Sequence, residues 1–181
     1  MTHETTHAGR PKTAPPADTV NRLAVEIRIL NSLVTKLTMR DLEQRVADAL
    51  PGISLLQFGV LRLLSREQMT LSELSTMMML TPSTLVPAVD KLERQNLVVR
   101  GKDPNDRRRT PLQLTDEARK ALDSIPPAHP DDAIVQAINQ LGEHKAALLH
   151  KLLRELLHNL MPERDLYEEI IRNHPDHCGR H

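Results

Sequence analysis

Aromatic residues are almost missing from this 181-residue chain, which has one Phe, one Tyr and no Trp. Without ring faces there is no stacking platform for single strands or RNA, and no material for an aromatic-rich β-sandwich. Cysteine is reduced to Cys178, so no internal disulfide forms and a reducing cytoplasm is the expected location. Long apolar runs are lacking as well. The longest extend over a few residues, which leaves no membrane-spanning helix and no secretory hydrophobic region. Nor does charge of one sign dominate, because 24 Lys and Arg face 24 Asp and Glu. Affinity for nucleic acid must therefore come from local clusters of cations and not from the field of the whole molecule. Catalytic signatures are equally scarce. There is no glycine-rich phosphate loop, no HExxH, no nucleophile beside a placed base and no carboxylate pair in a plausible cleft. An enzyme is not expected, nor is a cofactor.

What is present, 39% hydrophobic and 27% charged, suits a soluble globular chain of one domain or two small ones. Residues 1–17 are polar, proline-bearing and aperiodic, and read as a flexible arm whose Arg10 and Lys12 either touch a phosphate backbone or are simply solvated. From Asp18 the pattern changes. Leu23, Ile27, Leu30, Val34 and Leu37 recur at spacings of four and three, a helical stripe close to a heptad seam. Leu42, Val46 and Leu50 carry it on until Pro51-Gly52 stops it. So long a seamed helix wants a partner, either within the chain or in a second copy.

Three short helices follow with clear start signals. Ser54 with Gln57 fits a capping box, stapled by Ile53 and Phe58, and Thr70 with Glu73 fits a second, stapled by Met69 and Leu74. Thr81 is the expected cap of the third, with Pro82 in the first helical position and Leu80 facing Leu85. That helix is expected to run to about Gln95, and Asn96 stands where a left-handed residue would end it. The short turn around Met79 and Leu80 matches helix-turn-helix geometry. Pro87 deletes a hydrogen bond past the first turn and should bend or tighten the helix start. The period then changes to that of a strand at Leu97–Arg100. After the turn-rich Gly101–Asp106, Thr110, Leu112 and Leu114 alternate with Pro111 and Gln113 as the returning strand. A hairpin directly behind a helix-turn-helix is a wing. Thr115-Asp116-Glu117 opens another helix, which must break at the prolines of 125–130 and resume near Asp131-Asp132. Residues 142–160 form a second long amphipathic helix with Leu149, Leu153, Leu156 and Leu160 on one face, and a short helix is expected after Pro162.

The chemistry of the sequence is electrostatic. Between Arg100 and Arg109, five cations (Arg100, Lys102, Arg107, Arg108, Arg109) stand against Asp103 and Asp106, a local net of +3 in a chain of net zero. Arginines at a hairpin tip suit a narrow minor groove, where the potential is most negative, and Asp106 can hold a guanidinium in place. The third helix would offer Ser83 and Thr84 to the major groove, with Lys91 and Arg94 one to two turns on, free for backbone phosphates or paired with Asp90 and Glu93.

From about Ser54 to Leu122 the chain resembles the MarR family of dimeric winged-helix transcription regulators. The resemblance rests on TLSELS, STLVPAVDKLERQNLVVR and the wing DPNDRRRTPLQLT, above all Asp106-Arg107-Arg108 followed by a strand and Leu114-Thr115. It implies a mainly α fold with a small two- to three-stranded β wing, in which a winged helix-turn-helix lobe joins a helical dimerisation lobe. The implied organisation is an arm (1–17), a first dimerisation helix (18–53), a DNA-binding lobe (54–115), C-terminal helices completing the dimerisation lobe (116–160), and a short helix with a loose tail (161–181). It further implies a homodimer on a pseudo-palindromic double-stranded operator, most often as a repressor released by a small organic ligand, by oxidation or by metal. Recognition-helix contacts then fall to Ser83, Thr84, Lys91 and Arg94, and wing contacts to Asp106, Arg107, Arg108 and Arg109. The sequence departs from the family pattern at Asn96, where Gly is usual, at Pro87, where a basic residue is frequent, and at the 125–130 proline break.

For the signal, Cys178 stands far from the N-terminal dimer helix where oxidation-sensing members carry their thiol. His174, His177, Cys178 and His181 have zinc-ligand types and spacing, although a His-rich tail has the same composition. An organic ligand in the cleft between the dimer helices and the winged lobe is the family default, with 125–130 as a lid. Met77-Met78-Met79 are expected to pack between the helices of the DNA-binding unit rather than line a pocket. Two readings compete with the regulator: a winged-helix module that binds protein without specific DNA contact, and a metal-responsive regulator using the C-terminal His/Cys cluster.

Overall fold

Ser54 and Thr70 close their capping boxes in full in a computed structural model of the protein, which describes residues 16–102, 109–161 and 168. The Ser54 hydroxyl accepts from the Gln57 backbone at 3.3 Å while the Gln57 side chain accepts from the Ser54 N–H at 3.0 Å. Thr70 and Glu73 repeat the exchange at 3.3 and 2.7 Å. These starts define α2 (Leu55–Leu64) and α3 (Leu71–Met77) behind the long α1 (Ala17–Ala49). After α4 (Pro82–Arg94) come β1 (Val98–Arg100) and β2 (Leu112–Leu114), then α5 (Asp116–Asp123), α6 (Ala133–Leu141) and α7 (Glu143–Leu160). The described residues are thus mainly helical with a small antiparallel sheet, as expected. The returning strand starts at Leu112 and not at Thr110; Pro111 precedes it and contributes only its carbonyl, which accepts the Gly101 N–H at 2.7 Å. Val98 pairs with Leu114 and Arg100 with Leu112. A third, single-residue strand contact comes from Met69, whose carbonyl accepts the Leu112 N–H at 2.8 Å.

The core gathers the stapled residues. Ile53, Phe58, Met69, Leu74 and Leu85 are all buried, joined by Leu61 and Leu64 of α2, Val89 and Leu92 of α4, Val98 and Leu112 of the sheet, and Leu122 with Ile125 behind α5. Burying a side chain of this size stabilises by about 1.5–3 kcal/mol relative to leaving it in water. The last turns of α1 share this core through Val46 and Leu50. Earlier on α1 the seam residues Leu23, Ile27, Leu30, Val34 and Leu37 are all exposed. On α6 and α7 no residue is buried.

One polar junction ties the end of α1 to the start of α6. Arg45 donates both terminal nitrogens to the Asp132 carboxylate, one of them at 3.1 Å, and Asp132 is only 5% exposed. The same carboxylate accepts the His129 N–H at 2.8 Å. Asp132 therefore stands at the cap position of α6 without capping it. Asp41, one turn before Arg45, takes over by accepting the Ala133 N–H at 2.8 Å. Burial works to raise the Asp132 pKa, but the Arg45 hydrogen bonds, the His129 N–H and the charges of Arg45 and His129 outweigh it and hold the carboxyl below its ordinary range. Where the connection from α5 to α6 begins, Arg62 donates to the Ile125 carbonyl and lies over the Phe58 ring at 5.1 Å.

Candidate nucleic-acid interface

The turn between α3 and α4 is set by Met79. Its φ is +51°, the left-handed region, and the two hydrogen bonds of a Schellman motif surround it. Leu80 N–H reaches the Ser75 carbonyl at 3.0 Å and Met79 N–H the Thr76 carbonyl at 3.1 Å. The end of α4 repeats the device at Asn96 (φ +55°), with Leu97 N–H on Leu92 and Asn96 N–H on Glu93. Asn96 fulfils its sequence expectation. Met79 does not, because it stands 64% exposed in a strained turn while Met77 is buried and Met78 lies against the core. The packing expected of three methionines belongs to two.

With both ends fixed, α4 turns Leu85, Val89 and Leu92 fully inward, and its opposite face carries the predicted contacts. Pro82 takes the first helical position and the helix continues through Pro87 without interruption. Thr81 corrects the capping expectation: its backbone is extended as a cap requires, but its side chain makes no cap bond. Instead its hydroxyl pairs with those of Ser83 at 2.8 Å and Thr84 at 3.0 Å. Ser83 and Thr84 are therefore brought together as an exposed hydroxyl cluster at the free N-terminus, flanked by exposed Val86 and Pro87.

The cations divide. Lys91 turns to the α1–α2 connection and donates to the Gly52 carbonyl at 2.5 Å. Asp90 and Glu93 pair with neither Lys91 nor Arg94 but with Arg100 of the wing strand, at 3.1 and 2.9 Å. Arg94 is exposed, in the last turn, with no ion pair among the described residues. Arg109 at the wing root pairs with Glu73 of α3. Burial tends to raise the Glu73 pKa, but the Thr70 backbone and hydroxyl and the Arg109 charge prevail and leave it lowered. Sequence reasoning missed Arg100 and Glu73 as wing anchors; a strand cation preceded by acids at seven and ten residues was the available signal. Asp106, Arg107 and Arg108 lie outside the described residues, as do Arg10, Lys12, the helix expected after Pro162, and His174, His177, Cys178 and His181. Among the described residues no group of three metal-ligand types converges, and no helix is long and apolar enough to cross a membrane.

The family model MarR family matches residues 53–110, from the start of the α2 cap to beyond the wing root. The uncharacterized HTH-type transcriptional regulator YkoM of Bacillus subtilis (strain 168) is 30% identical over 115 residues, covering 55% of this chain and 75% of that one. The HTH-type transcriptional regulator FarR of Neisseria gonorrhoeae is 34% identical over 102 residues, covering 55% and 68%. Among solved structures, CouR from Rhodococcus jostii RHA1 bound to p-coumaroyl-CoA superposes with a TM-score of 0.61 at 25% identity, covering 78% of this chain and 96% of that one. The transcriptional regulator BldR from Sulfolobus solfataricus shares the fold at a TM-score of 0.55 and 23% identity, covering 76% and 97%. With a capped helix-turn-helix, a hairpin behind it and relatives matched along most of their length, this chain belongs to the MarR family of HTH-type transcriptional regulators and is not an enzyme.

Proposed function

We propose that the protein binds double-stranded DNA as a homodimer, with α4 in the major groove and the wing arginines in the minor groove, and represses transcription until a small organic ligand releases it. The observation that carries this reading is α4 itself. It is docked on the core by Leu85, Val89 and Leu92 while its N-terminal turns stand open to solvent. Ser83 and Thr84 lie at that open end, where their exposed hydroxyls and the positive end of the helix dipole favour an approaching phosphate or base edge. Arg94 is placed for backbone contact farther along, whereas Lys91 must first leave Gly52. Arg109 pairs with Glu73 at the wing root, and in this reading Asp106, Arg107 and Arg108 of the same loop supply the minor-groove contacts.

Dimerisation is supported by the unburied apolar faces. Leu23, Ile27, Leu30, Val34 and Leu37 on α1, and Leu148, Leu149, Leu152, Leu153, Leu156 and Leu160 on α7, are each 38–70% exposed. Apolar stripes of that extent mark a surface covered by another chain, and a two-fold dimer matches a pseudo-palindromic site. Ligand release is supported by the similarity to CouR, whose structure holds p-coumaroyl-CoA.

The test is fluorescence anisotropy on a duplex from the region upstream of the protein's own gene, against a scrambled duplex. Non-specific binding at physiological salt has a Kd of roughly 10⁻⁴ to 10⁻⁶ M, and the upstream duplex should bind orders of magnitude more tightly. Arg108→Ala should weaken that binding by about 1–3 kcal/mol, and Asp106→Ala by less. Equal, weak binding of both duplexes would overturn the autoregulatory form of the reading, and wild-type affinity in both variants would overturn the wing assignment.

A further inference from the structure

From Thr81 to Val89, the turns of α4 that would meet base edges, there is no Arg, Lys, Asn, Gln, Asp or Glu. These are the side chains that read purines bidentately or accept from cytosine. The first charged position, Asp90, is already paired with Arg100, and Lys91 points to Gly52. The hydroxyls of Ser83 and Thr84 each share a hydrogen bond with that of Thr81. What the helix holds out is apolar: Val86, 37% exposed, and Pro87, whose ring has no N–H to give. The major-groove feature that an apolar side chain reads is the C5-methyl group of thymine. Resting on the DNA-binding reading above, we propose that Val86 and Pro87 select the operator half-site by contact with thymine methyl groups rather than by hydrogen bonds to guanine.

The experiment removes the methyl and nothing else. The full-length protein first selects duplexes from a library with a randomised core. The enriched duplex is then remade with deoxyuridine in place of thymine. Deoxyuridine keeps every Watson–Crick and minor-groove atom, so wing contacts are untouched. Burying one methyl contributes enough to predict about a fourfold loss of affinity for each contacted thymine, and therefore more than tenfold for one in each half-site of a dimer. In a Val86→Ala, Pro87→Ala double variant, the thymine and deoxyuridine duplexes should bind alike. Both positions are exposed and alanine favours a helix, so the variant keeps its fold, which circular dichroism checks. Equal wild-type binding of both duplexes overturns the proposal while leaving the DNA-binding reading intact. So does a deoxyuridine penalty that survives in the double variant. Failure to enrich any duplex overturns the DNA-binding reading, and this proposal with it.

Discussion

Replacing Met79 by glycine should stabilise the protein even though it removes a large apolar side chain. Met79 is held at φ +51° by the two hydrogen bonds that end α3, and it is 64% exposed, so it has little contact to surrender. An L-residue in that region costs about 1–2 kcal/mol through the clash of its Cβ with the following carbonyl. Glycine removes the clash but loses more backbone freedom on folding, which returns about 0.5–1 kcal/mol. The net is a gain of about 0–1.5 kcal/mol, centred on about 0.7 kcal/mol, or a rise in Tm of roughly 1.5–3 °C at that centre for a chain of this size. Thermal unfolding of wild type and Met79→Gly at equal protein concentration measures it, concentration being fixed because dimerisation would contribute to Tm. Two further variants test the cause. Asn96→Gly should gain less, because Asn tolerates the left-handed region, and Met79→Ile should lose stability because a branched Cβ is worst there. Destabilisation of Met79→Gly by 0.5 kcal/mol or more would show that the side chain is held by contacts, and would refute the strain argument.

Asp132→Ala should cost about 2–3 kcal/mol in denaturant unfolding. That is below the usual 3–5 kcal/mol for breaking a buried pair, because the abandoned Arg45 side chain is 23% exposed and can turn to water. The folded pKa of Asp132 lies below its unfolded value, so the wild-type advantage is complete above about pH 4 and disappears as pH falls through the folded value. An advantage that instead grew on acidification would contradict the lowered pKa. Gly142 separates α6 from α7 at φ 75°, ψ 159°, a region open almost only to glycine, and a Cβ there meets nothing within 4 Å. Gly142→Ala should therefore cost about 1–3 kcal/mol from backbone conformation alone, with amide exchange quickened in both flanking helices. Unchanged exchange and stability would mean that the link adopts another conformation without penalty.

Local signals in the sequence were read correctly where both partners lie within four residues. The Ser54/Gln57 and Thr70/Glu73 boxes, the Pro82 start and the left-handed Asn96 depend only on backbone geometry and a short side chain. Thr81 shows the limit of such reading. The residue type was right, but its hydroxyl had two nearer partners in Ser83 and Thr84. Met79 carried no signal, since a turn that needs a left-handed residue announces itself through Gly or Asn. Long-range choices were not legible at all. Nothing in the spacing tells that Lys91 goes to a carbonyl 39 residues earlier, or that α6 is capped by an aspartate 92 residues away.

That distant cap has a mechanical meaning. Asp41 and Arg45 stand one turn apart on α1, and both hold the few residues that open α6, one through the Ala133 amide and the other through Asp132. A grip at two points a turn apart resists rotation of the helix about its own axis as well as sliding along it. The same turns of α1 continue through Val46 and Leu50 into the core on which α4 rests, so the start of α6 is tied to the body that carries that helix.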